Sequence, residues 1–195
     1  MTSTTHAPTE TRSLSLSGQA IRIAIGVALL VASSKFQVPF YPVPMTLQVA
    51  AIMLIAATYG LRLGTATFAA YLAAGAAGLP VFAGTPEKGI GLAYMLGGTG
   101  GYLLGFLIAT AIVGFVADRM HKLAIIPAML AGLAVVYALG LLWLAQFAPD
   151  TTTLLAWGFT PFILGDLVKV AIAAVIAIKL PKALGSTIRG TQPNA

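Results

Sequence analysis

Two side chains of opposite charge stand three residues apart in the run GDLVKVAIAAVIAI, residues 165–178. On a helix, Asp166 and Lys169 would share one face, so carboxylate and ammonium can meet. A charge near the middle of a bilayer costs about 2.5–3.5 kcal/mol on insertion scales. Charges persist there when they pair, when they face a cavity, or both. Three chemistries fit this spacing: a polar ligand site, an internal ion pair that locks a bundle, and a proton relay. The relay lacks a second member, because Asp166 is the only acid within an apolar run.

Other chemistries find no residues. Cysteine is absent, which removes disulfides, thiolate nucleophiles and cysteine metal sites. His6 lies in a polar stretch and His121 beside Arg119 and Lys122, and neither has a second ligand at metal spacing. No Ser-His-Asp set is apparent. GGTGGY, 97–102, has no Lys-Ser or Lys-Thr at phosphate-loop spacing and opens a hydrophobic run. GTPEKG, 84–89, carries no such signature either. The chain therefore reads as a non-enzyme without a cofactor or metal, unable to hydrolyse ATP itself.

The elements that must position the pair are legible in composition. The 195 residues are 58% hydrophobic and 8% charged, with a mean hydropathy of +0.94. A soluble domain carries about three times that charge, so lipid is the expected solvent. Residues 1–18 are Thr/Ser-rich and read as a disordered tail. Six apolar stretches follow, at 20–36, 45–61, 63–80, 98–117, 123–147 and 161–180. Each is near the ~20 residues of a membrane-crossing helix, the second and third being shortest. Those two meet at a tight turn, Gly60-Leu61-Arg62-Leu63-Gly64. Val31-Ala32-Ser33 weakly resembles a signal cleavage site, but the long Thr/Ser-rich tail, with Arg12 as its single Lys or Arg, and five further spans speak against one. The expected division is a tail (1–18), a six-helix domain (19–183) and a C-terminal tail (184–195).

Six crossings put both termini on one side. With that side cytoplasmic, it gathers Arg12, Arg22, Arg62, Arg119, Lys122, Lys179, Lys182 and Arg189, eight of the eleven basic residues. The net charge of +6 thus reads as topology rather than a nucleic-acid surface. The outer face then carries QVPFYPVPMTLQ (37–48), whose three prolines favour an extended path. It also carries a loop over 80–97, and a third loop around Asp150 that ends at Pro161. The last span starts there, with Thr160 and Pro161 as its expected cap and first turn. Asp166 and Lys169 would lie roughly 8–12 Å deep in the outer half, near the positive end of the helix dipole.

Small residues recur every four positions at Ala24, Ala28 and Ala32, at Ala70, Ala74 and Gly78, and at Gly97, Gly101 and Gly105. Such stripes let helices approach closely in lipid. The latter two suit packing within the bundle. For the first, periodicity leaves internal packing and a partner helix equally open.

Three segments carry a resemblance: VPFYPVPMTLQ (38–48), GLPVFAG (78–84) with GGTGGYLLGF (97–106), and PFILGDLVK (161–169). In this order and spacing they closely resemble BioY, the biotin-binding S component of energy-coupling factor (ECF) transporters, over residues 20–182. One departure is Gly97-Gly98-Thr99-Gly100-Gly101, where the family commonly has Gly-Pro-Thr-Gly-Gly, and it softens the start of the fourth helix. The resemblance implies a six-helix plasma-membrane protein that captures biotin outside and works with a transmembrane T protein and two ATPases. It assigns Asp166 and Lys169 to biotin, Asp166 accepting from a ureido N–H or orienting Lys169, and Lys169 donating to a biotin oxygen. Phe40, Tyr41, Phe82 and Tyr94 would pack the bicyclic ring or close the outer mouth, although single aromatics also serve as membrane-interface anchors. Thr46 and Gln48 are further polar candidates. Ala24, Ala28 and Ala32 match the family's alanine motif for docking the T protein. Two other readings stay open: an S component for another vitamin, and a structural membrane protein whose charged pair only stabilises the bundle. The sequence leaves a homo-oligomer open as well.

Overall fold

The structure is a computed structural model that describes residues 15–38, 43 and 45–180. Phe40, Tyr41, residues 1–14 of the tail and everything after 180 lie outside those residues. Helix α1, Leu16–Lys35, begins inside the stretch read as tail. Ser15 starts it by accepting from the Gly18 amide at 3.2 Å, the usual role of serine at an N-cap. A two-residue ribbon follows, β1 (Gln37–Val38) antiparallel to β2 (Met45–Thr46), with Gln37 opposite Thr46. It closes the base of the proline-rich loop.

Helix α2, Gln48–Ala76, is broken at Gly60 (φ 74°, ψ −174°), a conformation glycine adopts without a Cβ penalty. A Cβ on Gly64 would sit 3.5 Å from the Ala56 Cα. In a continuous helix, residues eight apart are about 12 Å apart. Residues 48–59 and 61–76 are therefore the arms of an antiparallel hairpin. At its far end Gln48 Nε2 donates to the Tyr71 hydroxyl at 3.1 Å, joining the start of one arm to the other. At the turn, the Leu61 amide donates to Asp118 Oδ2 at 2.8 Å. The expected five-residue turn is thus compressed to one residue. Among the described residues, five helical stretches are long and apolar enough to cross a membrane, and the doubling of α2 makes six crossings.

After α2, Gly78 (φ 93°) ends the arm, with the Leu79 amide donating back to the Ala74 carbonyl. Gly78 touches nothing within 4 Å at its Cβ position, so the Ala70, Ala74 and Gly78 stripe is not a packing seam there. A strap over 79–90 leads to the short α3 (Gly91–Met95), then to α4 (Gly100–Arg119) and α5 (Ile125–Leu144). The glycine departure coincides with α4 starting at Gly100 rather than 98. On α4, a Cβ at Gly101 would lie 2.3 Å from the Leu139 carbonyl oxygen, and one at Gly105 2.7 Å from the Val136 Cα. That stripe is the seam that brings the α4 and α5 backbones together.

The third loop is not wholly a loop. It contains α6, Thr151–Gly158, whose N-cap Asp150 accepts from the Thr153 amide at 2.8 Å. The chain then turns directly into α7, Ile163–Lys179. Phe162 is the N-cap and no side chain caps the helix, so Thr160 and Pro161 do not have the expected role. The amides of Phe159 and Thr160 bond the Leu155 carbonyl, and those of Phe162 and Ile163 bond that of Phe159, so the turn itself supplies the bonds. The core lies between α2, α4, α5 and α7, while α1 packs chiefly on α2. Ala24, Ala28 and Ala32 are all exposed on α1, in a face shared with Ile21, Ile25 and Leu29.

Candidate functional site

At the end of the bundle that carries the three loops, a cavity opens between the hairpin ends, the strap, α4, α5 and α7. The void, counted with the open space of its mouth, measures about 620 Å³. The β ribbon brings Met45 and Thr46 to its wall, and the start of α2 brings Gln48. The strap contributes Phe82 and Ala83, α3 contributes Tyr94, and α7 contributes Asp166. Five of the residues singled out in the sequence, Thr46, Gln48, Phe82, Tyr94 and Asp166, therefore line one cavity.

Asp166 is 7% exposed and lies in the first turn of α7, where the helix dipole favours an anion. Lys169 Nζ donates to its Oδ1 at 2.8 Å. The Tyr137 hydroxyl, from α5, donates to Oδ2 at 2.7 Å. Both carboxylate oxygens are thus engaged, and each keeps acceptor capacity for a further donor. Lys169 stands behind the carboxylate and is not part of the cavity wall.

The aromatic wall is built residue on residue. Phe82 stacks on Tyr94 at 5.0 Å and 13° and meets Tyr71 edge-on at 5.3 Å. The Tyr94 hydroxyl donates to the Ala83 carbonyl at 2.7 Å, closing α3 onto the strap. Burial pushes the Tyr94 phenol above its ordinary pKa, against the opposing pull of a hydrogen bond with Thr99. Tyr102 donates to the Gly158 carbonyl at 2.8 Å and so ties α4 to the end of α6. Gln48 Nε2 is taken by Tyr71, which in turn donates to the Val81 carbonyl at 3.1 Å. The Thr46 hydroxyl accepts from the Gln48 amide at 3.2 Å and fixes the start of α2.

Tyr71, Tyr102 and Tyr137 were not singled out from sequence. Each is a lone hydroxyl inside an apolar span, and a buried phenol needs a hydrogen-bond partner. For Tyr137 the one carboxylate within a span was the evident candidate.

Such an arrangement can hold a small molecule that presents apolar surface to the aromatic wall and N–H donors to a buried carboxylate. Comparisons with known proteins agree over nearly the whole chain. The profile of the BioY family matches residues 4–186. A biotin transporter BioY of Thermotoga maritima is 39% identical over 165 residues, 84% of this chain and 96% of its own. A probable biotin transporter BioY of Pyrococcus horikoshii is 39% identical over 158 residues, 81% of this chain and 93% of its own. The crystal structure of an S-component for biotin from an ECF-type ABC transporter superposes with a TM-score of 0.73 at 27% identity, covering 87% of this chain and 95% of the other. Sequence and fold converge, and the chain belongs to the BioY family.

Proposed function

We propose that this multi-pass protein of the cytoplasmic membrane captures biotin from outside and delivers it inward as the S component of an ECF transporter. The single observation that carries the reading is the cavity that joins the buried Asp166 carboxylate to the Phe82–Tyr94 stack. Biotin offers complementary chemistry, with ureido N–H donors beside an apolar bicyclic ring. Asp166 accepts from a ureido N–H with its spare lone pairs. Lys169, bonded to Oδ1 and outside the cavity wall, holds that carboxylate in place for the ligand rather than donating to a biotin oxygen itself. Phe82 and Tyr94 cover the ring, and Thr46 and Gln48 supply polar contacts at the rim. Phe40 and Tyr41 belong to the same mouth on the sequence resemblance alone.

The loop end faces outward in this reading, with both termini cytoplasmic, in accord with the positive-inside distribution. Energy comes from a transmembrane T protein and two ATPases. The exposed Ala24, Ala28 and Ala32 stripe supports docking of the T protein on α1.

Purified protein in detergent tests this against a panel of biotin, thiamine and riboflavin. Biotin alone should raise the melting temperature and stay bound without ATP. Lys169→Ala should fold and lose most binding. Wild-type biotin binding in both Lys169→Ala and Asp166→Asn would remove the site assignment, and a shift with another vitamin would reassign the ligand.

A further inference from the structure

Lys35 lies at the end of α1, on the loop side of the membrane domain, away from the basic residues that accord with topology. Its ammonium donates to the Phe82 carbonyl at 2.9 Å, the Thr85 carbonyl at 2.9 Å and the Thr85 hydroxyl at 3.0 Å. Three donors meet three acceptors, so the ammonium is fully used. The Thr85 hydroxyl donates to the same Phe82 carbonyl at 2.7 Å. One residue earlier, Ser34, fully buried, donates to the Val81 carbonyl at 2.7 Å. The end of α1 therefore grips three carbonyls of the strap, at Val81, Phe82 and Thr85. That stretch carries Phe82 and Ala83 into the cavity wall, and through them the stacked Tyr94.

These backbone groups need partners. Turns inside the strap pair some of them, the Thr85 amide with the Phe82 carbonyl and the Lys88 amide with the Gly84 carbonyl, whereas the Val81 carbonyl is met by Ser34 and Tyr71 and the Thr85 carbonyl by Lys35. Charge-assisted bonds from a lysine are stronger than neutral ones and are aimed at main chain, so they fix the path of the strap rather than one side chain. Between the Phe82 and Thr85 carbonyls held by Lys35, the Ala83 carbonyl accepts from the Tyr94 hydroxyl. The Phe82–Ala83 part of the cavity wall thus hangs from α1 at one edge and from α3 at the other. Alpha1 also packs chiefly on α2 and exposes the rest of its length.

We propose that Lys35 is a positioning residue for ligand retention, holding the 81–85 strap over the cavity and making that wall move with α1. The inference rests on the biotin-uptake reading for its ligand. It assigns to the helix with the exposed alanine stripe a direct mechanical link to the bound molecule. A partner that displaces α1 would pull on the strap through Lys35 and Ser34, loosening the grip on the ligand at the moment of docking.

The test compares wild type, Lys35→Met and Lys35→Arg as full chains in nanodiscs. Methionine keeps most of the stem and removes the donors. Labelled biotin should leave Lys35→Met about tenfold faster, about 1.4 kcal/mol, with Lys35→Arg, which keeps charge and donors, close to wild type. Biotinamide, which lacks the carboxylate charge, should show the same acceleration. An effect confined to biotin would overturn the proposal by making Lys35 a partner of the carboxylate. Hydrogen exchange of ligand-free protein supplies the second readout. Amides of 81–94 should exchange faster in Lys35→Met while those of α4 and α5 stay unchanged. Unchanged exchange over the strap, or faster exchange with wild-type dissociation, overturns it. A wild-type protein that retains no biotin sinks the uptake reading instead, and the exchange result still decides whether Lys35 holds the strap.

Discussion

Gly140→Ala is the smallest change that should reach the ligand from outside the cavity wall. A Cβ on Gly140 would lie 2.3 Å from Tyr102 Cε1, 2.4 Å from Cδ1 and 2.6 Å from Cζ. None of these is a tolerable contact, so the ring must move. Gly158 closes the other side, since its own Cβ position is 2.3 Å from the Tyr102 hydroxyl. Tyr102 lines the cavity, and the void is the open direction left to it. Overpacking of this kind costs about 1–3 kcal/mol. Where that cost falls on the bound state, biotin affinity drops about 5- to 150-fold. The assay pairs the biotin dissociation constant with the melting temperature in the same detergent. A cycle with Tyr102→Ala isolates the cause, because that change removes all three clashing atoms. In the Tyr102→Ala background Gly140→Ala should be nearly silent, giving a coupling of at least ~1 kcal/mol. Equal cost in both backgrounds, or wild-type affinity and melting in Gly140→Ala alone, refutes the seating of Tyr102 on these glycines.

Lys169→Met should destabilise the fold by about 3 kcal/mol, since it strands a carboxylate that is 7% exposed. Asp166→Leu/Lys169→Met should regain most of that stability in thermal melts and still bind no biotin. Gly60→Ala should cost at least ~1–2 kcal/mol for a left-handed backbone, and more for a Cβ 2.1 Å from Asp118 Oδ1. Melting of purified protein reads the loss, and wild-type stability would mean that the hairpin turns elsewhere. Ala28→Trp, on the exposed face of α1, should leave biotin binding intact while uptake by cells expressing the ECF module falls at least tenfold. Full uptake would remove the stripe from the docking surface.

Much of the fold was legible because a bilayer constrains sequence strongly. Helix length and hydropathy located α1, α4, α5 and α7 to within a few residues, and glycine spacing located the α4–α5 seam. The hairpin at Gly60 was legible as a turn but not as a one-residue reversal. That tightness depends on Asp118, which is 58 residues away and caps Leu61. Helix α6 was hidden because eight residues fall far below a membrane span, although Asp150 ahead of three threonines is an N-cap signal. Two of the three acceptors of Lys35 were not legible at all, being main-chain carbonyls, which carry no residue identity. Lys122, counted as topology, likewise donates to the Ile178 and Leu180 carbonyls at the end of α7. A positive-inside count explains where such lysines are tolerated and says nothing of what they hold.

The charged pair itself argues for a ligand over a bolt once its partners are known. A bolt must join two helices, and Asp166 and Lys169 stand three residues apart on one, α7. Their 2.8 Å contact fixes nothing against a neighbour. The link across helices is made by Tyr137, a neutral phenol on α5 that donates to Oδ2, and asparagine at 166 could accept from it as well. For stability alone, then, neither charge is needed, and each carries a desolvation cost that well-packed apolar residues would avoid. A ligand changes that balance. A carboxylate bonded by a lysine behind it and by a tyrosine beside it is a pre-organised acceptor facing the void. Lysine placed behind rather than within the cavity leaves the negative face to the ligand. On the biotin-uptake reading, that polarity suits N–H donors at the cavity wall and disfavours a bare carboxylate there, which predicts a pose with the ureido ring toward α7 and the valerate chain toward the loops. Biotin methyl ester should accordingly bind within about threefold of biotin. A loss of a hundredfold or more would turn the ligand end for end and place its carboxylate on Lys169.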